Sequence, residues 1–303
     1  MRFVDPKSDI AFKKIFGDQN HHKALLEFLN TVLELPSAIQ TIEILNPYQA
    51  PRLNKLKETL LDVKARDQAG REFIIEMQVE KQGSFVKRTA YYTSKAYAGQ
   101  LKIGEDYLDL KPVIFLGVLN FTIFKGNNPI SCHLILNKEN QEHEIKELSF
   151  NFIELPKFNK TEKQLNNLVD QWLYFFKEAP NLEIIPESVK TEGLKTAYQI
   201  AEQHSWSEKE LEVYEYWSMK ETGRLDALQT AIAEGKAEGE AIGEARGEAR
   251  GEARGRAEGR AEGEAKGIRL VAKNMVQAGM SIEQIMAVTQ LSEDVIVQIR
   301  HNI

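Results

Sequence analysis

Three polar side chains, Asp62, Glu76 and Gln78, have the residue types and the spacing to act together on a metal ion or a phosphate. Strand side chains return to the same face at every second residue, so Glu76 and Gln78 would share a face. Mg²⁺ and Mn²⁺ are hard cations that take one or two carboxylates and complete their shell with water and substrate phosphate. Such a metal lowers the pKa of a bound water and stabilises charge that builds on a phosphodiester. The three residues therefore favour hydrolysis of a nucleic-acid backbone.

A β-hairpin is the element that must bring these residues together. Residues 60–66 and 71–79 are rich in apolar and β-branched side chains, which is typical of strands. The segment Asp67-Gln68-Ala69-Gly70 between them has turn composition, and its glycine is suited to a positive φ. The sequence therefore predicts two antiparallel strands joined by a tight turn.

The register of this hairpin decides whether the acids meet. If Asp67 pairs with Arg71 across the turn, Asp62 lies opposite Glu76, and directly opposed side chains are about 5 Å apart. Gln78 then lies beside them on the same face. Two carboxylates and an amide would surround a point about the size of a hydrated metal ion.

Ordinary hairpins also carry an Asp and a Glu on a solvated face, so the spacing alone leaves a purely structural interpretation open. Glu76 and Gln78, however, lie inside the apolar run 73–79. A charge in a central strand is costly unless it is paired or bound to a metal. The setting of Glu76 thus favours the metal site.

The elements predicted around the hairpin describe an α/β core. Ser8 or Asp9 can cap a short helix that Gly17 ends, and apolar residues at helical spacing predict a second helix over 22–35. The remaining expectations are a strand at 41–45, a loop at Pro51-Arg52, a helix from Ser84 to about Leu101, a fully buried strand at 112–119, and half-buried strands at 133–136 and 147–155.

The pattern becomes helical from residue 160 onward. Apolar residues at helical spacing predict helices around 165–176, 189–203 and 207–232. We accordingly expect four parts, which are an α/β core at 1–159, a helical extension at 160–232, a repeat segment at 233–267 and a small helical module at 268–303.

The repeat segment carries glycine at every fourth position, and glycine costs about 1 kcal/mol relative to alanine inside a helix. Midway, the order reverses from Gly-Glu-Ala-Arg to Gly-Arg-Ala-Glu. The reversal creates two possible ion pairs worth about 0.2 to 0.5 kcal/mol each, Glu252 with Arg256 and Arg254 with Glu258. Two interpretations stay open, a solvated linker or a helix that self-associates through its acidic and basic stripes.

Residues 268–303 return to globular patterning with three short helices. Gly279 ends the first, Ser281 caps the second, and Leu291-Ser292 opens the third. This order resembles a helix-turn-helix unit. The third helix begins with acids and has few groups that read base edges, so an assembly or docking module is at least as well supported as DNA reading. With the repeat, the module predicts a homo-oligomer.

Composition excludes several classes of protein. The 303 residues carry a net charge of −6, which argues against a protein that coats nucleic acid with its whole surface. No apolar run approaches the roughly 18 to 20 residues of a membrane span, and the N-terminus lacks the apolar core of a secretory signal. The single Cys132 excludes a disulfide framework, and the histidines lack ligand spacing. We expect a cytoplasmic protein without a membrane partner.

Four features occur together in this sequence, and they are Asp62, Glu76-x-Gln78, a following helix with Arg88, Tyr91-Tyr92 and Gln100, and Asp9-x-x-Phe12-Lys13 near the N-terminus. In combination they resemble the PD-(D/E)XK nuclease superfamily, and more narrowly its recombination-promoting nuclease and transposase family of bacteria. The resemblance covers about residues 1–230, and the repeats with a helical C-terminus suit that family too. It implies a restriction-endonuclease-like α/β core, a central mixed sheet flanked by helices, with an α-helical C-terminal extension.

The resemblance also implies roles for individual residues. Asp62 and Glu76 are the implied metal ligands, and Gln78 occupies the place usually held by the catalytic lysine. A neutral amide can orient water or phosphate but cannot stabilise negative charge as an ammonium does. We therefore expect Lys64 on the same face as Asp62, or alternatively Lys81, to supply that charge.

Other residues are expected at the edge of the site. Asp9 is a candidate third acid for the metal, with a helix cap as the alternative. Lys13, Arg88 and Gln100 are candidates for contacts with substrate phosphate, although Arg88 and Gln100 could instead be polar residues that pack on the sheet. The pair Tyr91-Tyr92 is assigned to the core.

The leading hypothesis is a DNA endonuclease that depends on Mg²⁺ or Mn²⁺. A role in recombination or mobile-element biology is implied by the resemblance alone. The alternative is a nuclease-like DNA-binding or regulatory protein without catalysis, in which Gln78 marks weakened chemistry and the repeats assemble chains.

Overall fold

A mixed six-stranded sheet is the centre of this protein's first compact unit. A computed structural model describes residues 3–49 and 59–303. The chain divides into two compact units, Met1–Lys220 and Glu221–Ile303. The boundary between the units precedes the expected residue 232, and the loop predicted at Pro51-Arg52 lies outside the described residues. The strands are β1 (Ile42–Leu45), β2 (Tyr48–Gln49), β3 (Thr59–Leu60), β4 (Val63–Asp67), β5 (Glu72–Gln78), β6 (Val113–Leu119), β7 (Ile130–Ile135) and β8 (Ile145–Glu154).

The strand order in the large sheet is β1-β4-β5-β6-β8-β7, while β2 and β3 pair separately. Strands β5, β6 and β8 run parallel, and β1, β4 and β7 are antiparallel to their neighbours. All seven residues of β6 are buried, as predicted from its continuous apolar run. The predicted mixed sheet is confirmed.

Helices cover both faces of this sheet. Alternate residues of β5 separate the two layers, because Phe73, Ile75 and Met77 pack with α1, α2, α4 and α5, whereas Ile74 packs with Phe85 of α3. The helices are α1 (Asp9–Phe16), α2 (Lys23–Val32), α3 (Phe85–Gly99), α4 (Leu168–Glu178), α5 (Glu192–Ala201), α6 (Glu208–Gln277), α7 (Ile282–Thr289) and α8 (Glu293–His301). The predicted core flanked by helices is confirmed.

The hairpin register matches the prediction. Val63 pairs with Ile75 and Arg66 with Glu72, and the Asp67 N–H donates to the Arg71 carbonyl at 3.1 Å. This spacing places Asp62, the residue before Val63, across from Glu76. The sequence therefore predicted the contact on which the site depends.

Asp67 closes the turn with its side chain. Its Oδ1 accepts the N–H groups of Ala69 and Arg71, each at 2.9 Å, and its Oδ2 accepts the Arg71 Nε–H at 2.6 Å. Gly70 has φ +82°, the left-handed conformation that glycine adopts without strain. Asp67 and Arg71 are both buried, so neither has water as a replacement partner.

The helix boundaries decide between the two predicted caps and shorten one predicted helix. Ser8 rather than Asp9 caps α1, because its Oγ accepts the Ala11 N–H. Helix α3 ends at Gly99, before the predicted Leu101.

The repeat segment is helical, since residues 233–267 lie within α6. Both predicted ion pairs are present, with Arg254 Nε 2.7 Å from Glu258 and Arg256 Nη2 3.1 Å from Glu252. Residues 268–277 continue the same helix, so the expectation of a separate short helix there was wrong. Whether this exposed helix acts as a solvated linker or self-associates stays a prediction.

The second unit ends in a small helical module. Ala272, Ile285 and Ile296 are its buried apolar residues, one from each of the three packed helical segments. Ser281 and Gln284 form a capping box at the start of α7, and Gly279 has φ +75° in the preceding turn. In the described ranges, no helix has the length and apolar content needed to cross a bilayer.

We predict that Asp67→Ala lowers the free energy of unfolding by about 3 kcal/mol, because it leaves the buried Arg71 guanidinium without its carboxylate. Urea denaturation followed by circular dichroism measures this. Asp106→Ala is the matched control, since Asp106 accepts a backbone N–H in an exposed turn at 2.9 Å. Equal losses in the two variants would contradict the assigned role of Asp67.

Candidate active site

Asp62 and Glu76 meet at the carboxyl end of β5, where the antiparallel strand β4 begins. The Asp62 N–H donates to Glu76 Oε1 at 3.3 Å, and the Met77 N–H donates to Asp62 Oδ2 at 2.8 Å. Glu76 is 4% exposed, and the Asp62 side chain is 16% exposed. Ligands of α/β sheets commonly bind outside the carboxyl ends of the strands, where these acids lie.

Each carboxylate keeps one oxygen for a ligand. Within the described residues, Glu76 Oε2 and Asp62 Oδ1 accept no hydrogen bond; the nearest cation to Asp62 Oδ1 is Lys13 Nζ at 3.8 Å. Lys13 comes from α1, and its Nζ also pairs with Asp9 Oδ1 at 2.7 Å. Backbone N–H groups thus fix both acids, and one oxygen of each remains without a hydrogen bond from the part of the chain that the structure describes.

Burial raises the pKa of both acids. The pKa of Glu76 rises to about 8, first because the carboxyl is removed from water and then because the Asp62 charge is close. Burial raises the pKa of Asp62 to about 6, against the opposing effects of the Met77 N–H and the Lys13 ammonium. Two close carboxyls that interact this strongly release their protons as a pair.

This donor set fits a hard divalent cation. A cation between the acids would replace the water that burial removed and would offset the repulsion between their charges. No group of three His, Cys, Asp and Glu residues that could hold a metal occurs in residues 3–49 and 59–303. The remaining positions around Mg²⁺ or Mn²⁺ would therefore fall to water and substrate oxygen.

Asp9 does not join the acid pair. Its side chain is 64% exposed and bonded to Lys13, so the Lys13 ammonium lies between Asp9 and Asp62. The structure therefore gives Asp9 the role of a partner for Lys13, in the first turn of α1. The Lys13 ammonium lies 3.8 Å from Asp62 Oδ1, and its contact with substrate phosphate stays a prediction.

Gln78 and Arg88 are held together beside the acids. An Nη2–H of Arg88 donates to Gln78 Oε1 at 2.6 Å, and an Nη1–H donates to Gln82 Oε1 at 2.7 Å. The guanidinium carbon lies 5.5 Å from the Phe85 ring centroid and 6.0 Å from that of Tyr92. Helix α3 thus delivers a cation to the end of the motif strand.

Lys64 and Gln100 are not brought to the acids. Lys64 Nζ pairs with Glu72 at 2.9 Å, and Arg66 pairs with the same carboxylate. Glu72 is buried two positions after the turn, so its charge needs these partners. The Gln100 amide exchanges two hydrogen bonds with the backbone of Lys111 at the opposite end of α3. The sequence-based assignments of Lys64 as a catalytic group and Gln100 as a substrate contact have no support in this geometry.

The alternative cation, Lys81, donates from its Nζ to the Thr122 carbonyl at 3.1 Å and is exposed.

Tyr92 is the residue that sequence reasoning missed. Its ring centroid lies 6.0 Å from the Arg88 guanidinium carbon. Burial raises the pKa of its hydroxyl, Arg88 opposes this rise, and the charges of Glu76 and Asp62 add to it. The i,i+4 spacing from Arg88 was the available signal, since such residues are neighbours on a helix. Tyr91 is 41% exposed, so its assignment to the core was wrong.

The raised pKa of Glu76 predicts a pH dependence of stability in metal-free protein. The folded state keeps a proton that the unfolded state releases above its ordinary pKa of 4.5, so the free energy of unfolding falls as pH rises from 4.5 to about 8. Glu76→Gln removes the titrating group and should flatten this slope. Urea denaturation with a chelator measures it, and Glu142→Gln at an exposed site is the control. Parallel slopes for wild type and Glu76→Gln would contradict the assignment.

Comparison with known proteins identifies the family of this chain. The family model of PD-(D/E)XK nuclease family transposases matches residues 6–231, which include the acid pair, Gln78 and Arg88. Residues 269–301 match the C-terminal helix-turn-helix domain of the Rpn/YhgA-like nuclease family. No curated protein and no solved structure matched. The two family matches support a nuclease or DNA-binding role and confirm the resemblance drawn from the sequence. The chain belongs to the PD-(D/E)XK nuclease family of transposases, with an Rpn-type helix-turn-helix domain at its C-terminal end.

Proposed function

We propose that this protein is a DNA endonuclease that hydrolyses phosphodiester bonds with Mg²⁺ or Mn²⁺ held by Asp62 and Glu76. The observation that carries the proposal is the buried carboxylate pair, which is fixed by backbone N–H groups and keeps one oxygen on each acid for a ligand. We further propose that this activity serves recombination or mobile-element biology, which the match to a transposase family supports, and that the protein acts in the cytoplasm.

The residues around the pair have separate tasks in this reaction. A bound divalent cation supplies a water of lowered pKa and stabilises charge on the scissile phosphate. Asp62 and Glu76 hold it, while Lys13 from α1 and Arg88 from α3 attract the DNA phosphates from two sides. The Gln78 amide orients the water or a phosphate oxygen through a hydrogen bond.

Removing either acid should abolish cleavage. We predict that Asp62→Ala and Glu76→Ala each reduce Mg²⁺-dependent plasmid nicking by about 10²-fold or more, because transition-state charge loses its stabilisation. Gel quantification of nicked product measures this, with folding checked by circular dichroism. Asp109→Ala, an exposed acid outside the site, should keep wild-type activity. Cleavage that persists in both site variants would overturn the assignment.

One observation favours a second candidate function. Gln78 is neutral and cannot supply the charge of a lysine, which suits a site that binds DNA without chemistry. Calorimetric titration with Mn²⁺ separates the two functions. Metal binding that Asp62→Ala removes supports the nuclease, whereas DNA binding without metal binding supports the non-catalytic protein.

We also propose that the protein forms a homo-oligomer through the repeat segment and the C-terminal module. The side chains of residues 237–265 are exposed, and the charges between 241 and 251 form no ion pair within the described chain. Acidic and basic stripes run along this part of α6, with Glu244, Glu248 and Glu252 in one and Arg246, Arg250 and Arg254 in the other. A second copy supplies complementary stripes.

Charge reversal in one stripe should weaken this assembly. We predict that full-length protein with Arg246→Glu and Arg250→Glu has a lower mass by light scattering than wild type at low salt, where charge pairs are least screened. Lys138→Glu combined with Lys146→Glu is the control, since both lysines are exposed and lie outside the repeat segment and the C-terminal module. A chain that ends near residue 230 and keeps the oligomeric state of the full-length protein would refute the role of the repeat.

A further inference from the structure

If the proposed nuclease function holds, the site needs a positively charged group that strand β5 does not carry. Hydrolysis of a phosphodiester builds negative charge on the phosphate, and preorganised donors with positive charge stabilise it. Strand β5 ends in Gln78, whose amide carries no charge. Another group beside this strand must therefore provide the positive charge.

Arg88 is the cation in direct contact with the motif strand. Its hydrogen bonds at 2.6 Å to Gln78 and 2.7 Å to Gln82 hold the guanidinium against two amide oxygens. The flanking rings of Phe85 and Tyr92 limit its movement further. The guanidinium is therefore held in place before any substrate binds.

The contact also sets the direction of the Gln78 amide. Because Gln78 Oε1 accepts the Arg88 N–H, the amide NH₂ is the group left to donate to water or phosphate. Guanidinium has five donors, and two hydrogen bonds leave others for a phosphate oxygen. The pair can thus offer N–H donors from an amide and a cation together.

The other cations near the acids are already engaged. Lys13 pairs with Asp9 at 2.7 Å, Lys64 with Glu72 at 2.9 Å, and Lys81 donates to a backbone carbonyl at 3.1 Å. Lys13 does approach Asp62, at 3.8 Å, but it does not contact Gln78. Arg88 alone, among the described residues, links a positive charge to the end of β5 by a hydrogen bond.

We propose that Arg88 is the positioning residue that makes Gln78 functional. It orients the Gln78 amide and, from α3, supplies the positive charge that this amide lacks. The Arg88–Gln78 pair then acts as one cationic donor unit toward the scissile phosphate. Neither residue replaces the acids, which hold the metal.

Kinetics of full-length variants on a supercoiled plasmid with saturating Mn²⁺ test this role. Arg88→Met keeps the aliphatic stem against Phe85 and Tyr92 while it removes the charge. We expect it to lower kcat by about 10²-fold with little change in KM for DNA. Arg88→Lys should recover part of kcat. Lys87→Ala, an exposed neighbour on α3, should match wild type.

The decisive variant adds a charge to the strand itself. Gln78→Lys combined with Arg88→Met puts an ammonium on β5, and we expect at least a tenfold higher kcat than for Arg88→Met alone. Thermal unfolding verifies that each variant is folded. If Arg88→Met does not fold, Gln78→Lys in the wild-type background tests whether a charge on β5 supports cleavage. We expect this single variant to be active, although it lacks the Gln78 amide.

The outcomes separate the two proposals. The role of Arg88 would be overturned, with the nuclease function intact, if Arg88→Met kept the wild-type kcat or changed KM alone. It would also be overturned if Gln78→Lys failed to rescue the double variant, or if the Gln78→Lys single variant were inactive. Absence of metal-dependent cleavage by the wild-type protein would overturn both.

Discussion

The register between β4 and β5 is the constraint on which the rest of the structure depends. A slip of one residue would turn Asp62 to the opposite face of the sheet and separate it from Glu76. The buried Asp67–Arg71 pair fixes that register at the turn, and the backbone N–H groups of Asp62 and Met77 fix it again at the site. A structural salt bridge at one end of the hairpin therefore determines the chemistry available at the other.

Two layers of helices give this hairpin its electrostatics. The layers exclude water from β5, which raises the pKa of Glu76 and leaves the acids without solvation. Each layer also contributes one cation to the site, since Lys13 of α1 approaches Asp62 and Arg88 of α3 contacts Gln78. The acids consequently sit between positive groups that balance only part of their charge, and a hard divalent cation would offset the remainder.

Local chemistry explains what the sequence could predict. The turn at Asp67 and Gly70 is encoded within five residues, so the register and the meeting of Asp62 with Glu76 followed from it. Lys64 and Gln100 could not be placed in this way. Glu72 captures Lys64 because neighbouring strands bury Glu72, and Gln100 follows the far end of α3, where it reaches Lys111. Both outcomes depend on long-range packing that spacing along the chain does not contain.

The position of the positive charge is the main way in which this site differs from one with a lysine on the strand. A strand lysine moves with the acids, whereas Arg88 belongs to α3 and reaches β5 across a helix–sheet interface. Phe85 of α3 packs on Phe115 and Phe152 of the sheet, with ring centroids 6.5 and 6.2 Å apart. Any shift of α3 on this aromatic contact would move the guanidinium relative to the acids. The hydrophobic packing between α3 and the sheet therefore sets the distance between the Arg88 charge and the acids.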